Sequence, residues 1–217
     1  MMAGMTGRRL TVTAETWPIA GTFRISRGAR TEAHVVVVEI AEGDAVGRAE
    51  CVPYPRYGES IAETVAQLTA LEGAISDGLD RQALQTTLPA GALRNALDCA
   101  LWDLHAKSAD QPVWQLAGLD APQTVTTAYT LSLDTPENMG AAARQNAQRP
   151  LLKIKLAGDG DLERVAAIRH NAPDSTLIVD ANEGWSAAQV EPFSAALAQL
   201  GVAMIEQPLP AAADAVL

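Results

Sequence analysis

The sequence predicts an α+β domain over residues 1–121, followed by an α/β domain over 122–217 that forms the first half of a (β/α) barrel. Three observations carry this. β-rich runs give way to helical periodicity at Ser60. From about Pro122, strand and helix alternate. Finally, Thr130, Lys155, Asp180 and Glu206 close four successive strands at intervals of 25, 25 and 26 residues, the repeat of a βα unit.

The elements follow in order. LTVTAETWPI (10–19) and AHVVVVEIAE (33–42) are rich in strand formers, and AVGRAECVPYP follows a Gly43-Asp44 turn, so an antiparallel meander is expected. Between the first two runs, GTFRISRGARTE (21–32) reads as a loop carrying Arg24, Arg27 and Arg30, with Arg48 beyond the turn. After Ser60, Ile61, Val65, Leu68 and Leu71 or Glu72 share one apolar helix face. AGALRNALDCALWDLHAKS is a second helix, with Leu93, Leu97, Ala100, Leu101 and Leu104 on its apolar side. Pro112 opens and Gly118 closes a short third one. VTTAYTL, LLKIKL, TLIVD and VAMIE then read as parallel strands, with helices near 136–148, 161–171 and 187–200 packed outside them.

Composition narrows the function. The chain is 48% apolar and 19% charged over 217 residues, which is globular. A net charge of −10 disfavours nucleic acid and anionic membrane but leaves room for a small acidic ligand in a local pocket. No run reaches the length of a membrane span, and no apolar segment follows the first arginines as in a secretory signal. Cys51 and Cys99 lack CxxC spacing and read as two buried thiols of a cytoplasmic protein. His34, His105 and His170 have no ligand spacing and read as structural. Core packing accounts for Trp17, Trp102, Trp114 and Trp185. The glycines of LAGDGD match no phosphate-binding pattern.

The chemistry centres on LLKIKLAG. Strand alternation puts Lys153 and Lys155 on one face. By themselves they would suit a solvated edge strand. Asp180 ends TLIVD and also suits the cap of the following helix. Glu206 ends VAMIE, and no helix begins after it. Two carboxylates at neighbouring strand ends form an oxygen-rich site for a hard dication, Mg²⁺ above all, with Asn182 or Glu183 in support. Two ammonium groups beside a dication each lose proton affinity, so one lysine becomes a general base and the other steadies an anion. Base plus metal points to proton abstraction next to a carboxylate.

KIK, IVDANEGW and IEQPLP, in this order and spacing, resemble the enolase superfamily, in the subgroup of muconate cycloisomerases and dipeptide epimerases. RGARTEAHVVVVE, ECVPYPRYGES and LPAGALRNALDCALWDL are most similar to the bacterial L-Ala-D/L-Glu epimerases of that subgroup. The resemblance implies an α+β capping domain ahead of a TIM-like barrel, and Mg²⁺-dependent epimerisation of L-Ala-D/L-Glu dipeptides during recycling of cell-wall peptides. It implies Lys155 as the base with Lys153 beside it for charge, and Asp180 and Glu206 as metal ligands. Thr130 would line the pocket, and loops around Arg27 and Tyr57 would close over the substrate. Arg27 or Arg30 would take the glutamate side-chain carboxylate.

A family barrel has about eight strands, and four are found. The third carboxylate ligand, the opposing lysine and the groups for the dipeptide amino terminus are therefore expected beyond Leu217, on roughly 100 further residues by the repeat. On this reading the chain is a fragment, or a second copy or a complementing chain completes it. Two alternatives stay open: a cycloisomerase or o-succinylbenzoate-type synthase on the same scaffold, and a non-catalytic half-barrel.

Overall fold

A computed structural model of the chain describes residues 7–217, which divide into two compact units. The first comprises 7–18 and 32–123; the second comprises 19–31 and 124–217. Residues 19–31 thus group with the barrel strands, whereas a single boundary after residue 121 assigns them to the first domain.

The elements of the N-terminal half are β1 (Arg9–Ile25), β2 (Gly28–Glu42), β3 (Ala45–Cys51), α1 (Ile61–Ala70), α2 (Glu72–Ser76), α3 (Arg81–Thr87), α4 (Ala92–Ala109) and α5 (Val113–Leu116). The strands form one sheet in the order β1-β2-β3, with β2 and β3 antiparallel. The expected loop over 21–32 is instead mostly strand. β1 runs on to Ile25, and the chain reverses at Ser26-Arg27.

In the first unit, Val36, Val38 and Ile40 of β2 pack with Leu97, Ala100, Leu101 and Leu104 of α4, joined by Leu68, Ile75 and Leu84. Gly47 is what lets α4 lie against β3. A Cβ there would stand 2.1 Å from the Ala100 carbonyl oxygen and 2.5 Å from the Leu104 nitrogen, and both are backbone atoms that cannot move aside. Cys51 is buried and its thiol is pushed up to about 11, by burial first and the Glu59 charge second. Cys99 is exposed, not buried as expected, because it falls on the outer face of α4. Trp17 is likewise 52% exposed and is no part of a core.

The amino end of α4 has no side-chain cap of its own, and Glu59 supplies one from a distance. Its carboxylate accepts the Ala92 amide at 2.7 Å and the Tyr54 amide at 3.0 Å. These bonds, Ala92 first, hold its pKa below the ordinary 4.5 against a smaller effect of burial. A carboxylate depressed in the folded state stabilises above its unfolded pKa, and that contribution disappears as pH falls through the folded value. Glu59→Gln is expected to cost about 1 kcal/mol at pH 7 and progressively less below pH 4.5, read from urea midpoints across pH.

The second unit contains β4 (Tyr129–Leu131), α6 (Pro136–Gln145), β5 (Leu151–Lys155), α7 (Asp161–Asn171), β6 (Thr176–Asp180), α8 (Ala187–Gln199) and β7 (Val202–Glu206). All neighbouring strand pairs are parallel, in the order β4-β5-β6-β7. β4 begins only at Tyr129, later than the expected strand over 125–131, and Val125 is 80% exposed. One face of the sheet, with Leu131, Leu152, Ile154, Leu177 and Val179, packs on Met139, Ala143, Val165, Ile168 and Leu197 of the three helices. Because side chains alternate, the lysines and carboxylates fall on the opposite face. Among the described residues no helix is long and apolar enough to cross a membrane.

Candidate active site

Register builds the site. Lys155 is the Cα partner of Asp180, and Asp180 that of Glu206, so three neighbouring strand ends form one row. A slip of one residue in any strand would turn its charged end toward the helices. Thr130 does not stand in this row. It pairs with Lys153, one inward-facing position lower, since β4 is short and set back along the sheet.

The chain has three lysines, and two of them meet these carboxylates. Lys155 Nζ donates to Asp180 Oδ2 at 2.6 Å, and both side chains are nearly closed off from solvent. Lys153 Nζ donates to Glu206 Oε2 and lies 3.5 Å from Asp180 Oδ2. Burial alone would lower the Lys153 pKa, but the bond to Glu206 and the charges of Asp180 and Glu206 carry it above its ordinary value. The ammonium charge of this lysine is answered by two carboxylates. Burial works the other way on Asp180, and the Lys155 bond, the Asn182 amide and both lysine charges together hold its carboxyl below the usual range.

Asp180 is not a helix cap. It accepts the Asn182 amide at 2.9 Å and Asn182 Nδ2 at 3.1 Å, while Ser186 caps α8 through a reciprocal pair with Gln189. The turn after β6 is unusual. Asn182 and Glu183 both have left-handed backbone, with φ of 49° and 65°. It is tied to the segment after β7, where Gln207 is also left-handed, by Glu183 N–H to Gln207 O at 2.7 Å and Trp185 N–H to Pro208 O at 3.0 Å. Gly184 is required, because a Cβ there would meet the Ala181 carbonyl at 2.9 Å and the Ala157 backbone at 3.0 Å. Strain of this kind concentrates at functional sites.

Two residues were missed in the sequence. Asp161 is fully buried at the start of α7 and accepts the amides of Ala157 and Gly158, Trp185 Nε1 at 2.8 Å and Arg164 Nη1 at 3.0 Å. It fixes the loop that follows Lys155. Its signal was an aspartate opening a helix after Gly160 in LAGDGD. Ser26 donates to the Asn182 carbonyl at 2.8 Å, and nothing in the sequence marks it.

The remaining expected residues lie as follows. Arg27 Nη1 donates to the Asn182 carbonyl at 2.6 Å and lies 3.5 Å from Glu183 Oε2. Arg30 is exposed on β2. Tyr57 belongs to the first unit, in a 3-10 turn over Pro55–Tyr57, with its ring 5.9 Å from that of Tyr54.

As a donor set, Asp180 and Glu206 offer neighbouring carboxylates, and Asn182 Oδ1 is buried with no hydrogen-bond partner. An all-oxygen set of this kind fits a hard divalent cation. Among the described residues no group of three His, Cys, Asp or Glu side chains that could hold a metal ion is present.

Residues 7–118 match the family described as mandelate racemase / muconate lactonizing enzyme, N-terminal domain, and residues 138–217 match the enolase C-terminal domain-like family. The chain belongs to the mandelate racemase / muconate lactonizing enzyme family. One member, L-Ala-D/L-Glu epimerase of Escherichia coli (strain K12), is 50% identical over 212 residues, covering 97% of this chain and 66% of that protein. A solved structure from Agrobacterium tumefaciens, an enolase family member with homology to dipeptide epimerases, with bound sodium and L-Ala-L-Glu, has a TM-score of 0.92 at 47% identity. It covers 96% of this chain and 64% of its own. The dipeptide epimerase of Enterococcus faecalis V583, complexed with Mg and L-Leu-L-Tyr, gives a TM-score of 0.84 at 29% identity, covering 95% and 62%. The chain thus spans just under two thirds of the length of these mandelate racemase / muconate lactonizing family relatives.

Proposed function

We propose that the chain carries one half of a Mg²⁺-dependent dipeptide epimerase site, acting on L-Ala-D/L-Glu through its glutamate α-carbon. The observation that supports this most directly is the row Lys155–Asp180–Glu206 at the carboxyl ends of adjacent parallel strands, with Lys153 on the same face. Asp180 and Glu206 are the residues that would hold Mg²⁺, supported by Asn182. The ion, when bound, supplies positive charge against the negative charge that builds on the substrate carboxylate. Lys155 moves the proton on one face of the α-carbon. Lys153 keeps its ammonium charge beside the two carboxylates and steadies the same anion.

Arg27 is already turned onto Asn182 and Glu183. On this reading an arginine of the β1–β2 hairpin, Arg27 or Arg30, takes the substrate's side-chain carboxylate. Thr130, level with Lys153, lines the floor of the pocket on this reading. Two free cysteines suit a reducing compartment, and we place the protein in the cytoplasm, where dipeptides from cell-wall turnover are recycled.

The test is proton exchange. The chain is incubated with L-Ala-L-Glu or L-Ala-D-Glu and MgCl₂ in heavy water, and the glutamate α-proton is followed by NMR. One base suffices for exchange on one face, so deuterium is expected in one diastereomer even without inversion. A folded chain that binds Mg²⁺ and exchanges neither would overturn the assignment.

A further inference from the structure

We propose that Ser26 and Arg27 are positioning residues for Asp180, acting from the tip of the β1–β2 hairpin through the carbonyl of Asn182. The metal-binding part of this inference rests on the assignment of Asp180 above; the clamp itself does not.

The Asn182 carbonyl receives two donors from one distant turn, Ser26 Oγ at 2.8 Å and Arg27 Nη1 at 2.6 Å, across 156 and 155 positions of sequence. The carbonyl sits in the middle of the strained turn, between two left-handed residues of which glutamate tolerates that conformation poorly. Such a backbone persists only where its surroundings over-determine it. Two donors on one side and the Glu183 amide bound to Gln207 O on the other supply that determination. On its far side, the same Asn182 gives its amide to Asp180 Oδ1 and its Nδ2 to Asp180 Oδ2. A chain of bonds therefore runs from hairpin tip to carboxylate through a single residue. Removal of the two side-chain donors would leave the Asn182 carbonyl without them and loosen the partner of both Asp180 oxygens.

The experiment uses the 217-residue chain and compares wild type with Ser26→Ala, Arg27→Lys and the Ser26→Ala/Arg27→Ala double variant. Amide hydrogen exchange is read at Asn182 and Glu183, and Mn²⁺ affinity is read by the paramagnetic signal of the free ion. In the double variant, exchange at those two amides should accelerate at least about tenfold while Val36–Ile40 in the other unit stay protected. Mn²⁺ binding should weaken several-fold, with Arg27→Lys keeping part of it. Unchanged exchange at Asn182 and Glu183 overturns the clamp. Faster exchange with unchanged Mn²⁺ affinity overturns the positioning of Asp180. A wild-type chain that binds no Mn²⁺ contradicts the metal reading, and the exchange arm still decides the clamp.

Discussion

Lys155→Ala is expected to abolish exchange of the glutamate α-proton in heavy water, by about 10³-fold or more, and to leave the fold in place. General-base catalysis contributes on the order of 10² to 10⁴. The fold survives for a specific reason. The variant leaves Asp180 with Lys153 at 3.5 Å and with both Asn182 donors, so its carboxylate stays partnered. Lys155 is also no member of the apolar cluster between the sheet and the helices, so the truncation leaves that core intact. Far-ultraviolet circular dichroism checks the fold, and NMR of the α-proton checks the rate. Exchange persisting at the wild-type rate would mean that Lys155 is not the base.

Asp161→Asn is expected to cost about 3–5 kcal/mol, out of proportion to so small a chemical change. The side chain is fully buried and accepts from two loop amides, the Trp185 indole and the Arg164 guanidinium. An amide in its place removes the charge that Arg164 answers. It also turns an NH₂ group toward atoms that can only donate, leaving buried donors without acceptors. For a chain of this size the loss should lower the melting temperature by roughly 10 °C. Exchange activity should fall as well, since the loop released is the one that continues from Lys155. A melting temperature within a degree or two of wild type would show that the four donors find other acceptors.

Much of the barrel was readable because it rests on local regularities. Period two in LLKIKL and TLIVD, helical period in the segments between, and intervals of 25 to 26 residues state which side chains reach the strand ends. VTTAYTL has the composition of a strand over 125–131, whereas only Tyr129–Leu131 finds a neighbour to bond. The glycines and arginines of the hairpin tip have the composition of a loop, and strand pairing overrides that preference.

The order of the elements, the common face of Lys153 and Lys155, and the placing of Asp180 and Glu206 at successive strand ends are legible in local sequence. These follow from backbone periodicity, which is set within a few residues. Chain packing gives Lys153 and Lys155 their carboxylate partners, sets Thr130 a level below the row, and turns Arg27 onto Asn182. It also buries Asp161 and leaves Cys99 exposed. Those outcomes depend on register between strands and on partners as far as 156 positions apart. No window of sequence contains both members of such a pair, so folding had to bring them together.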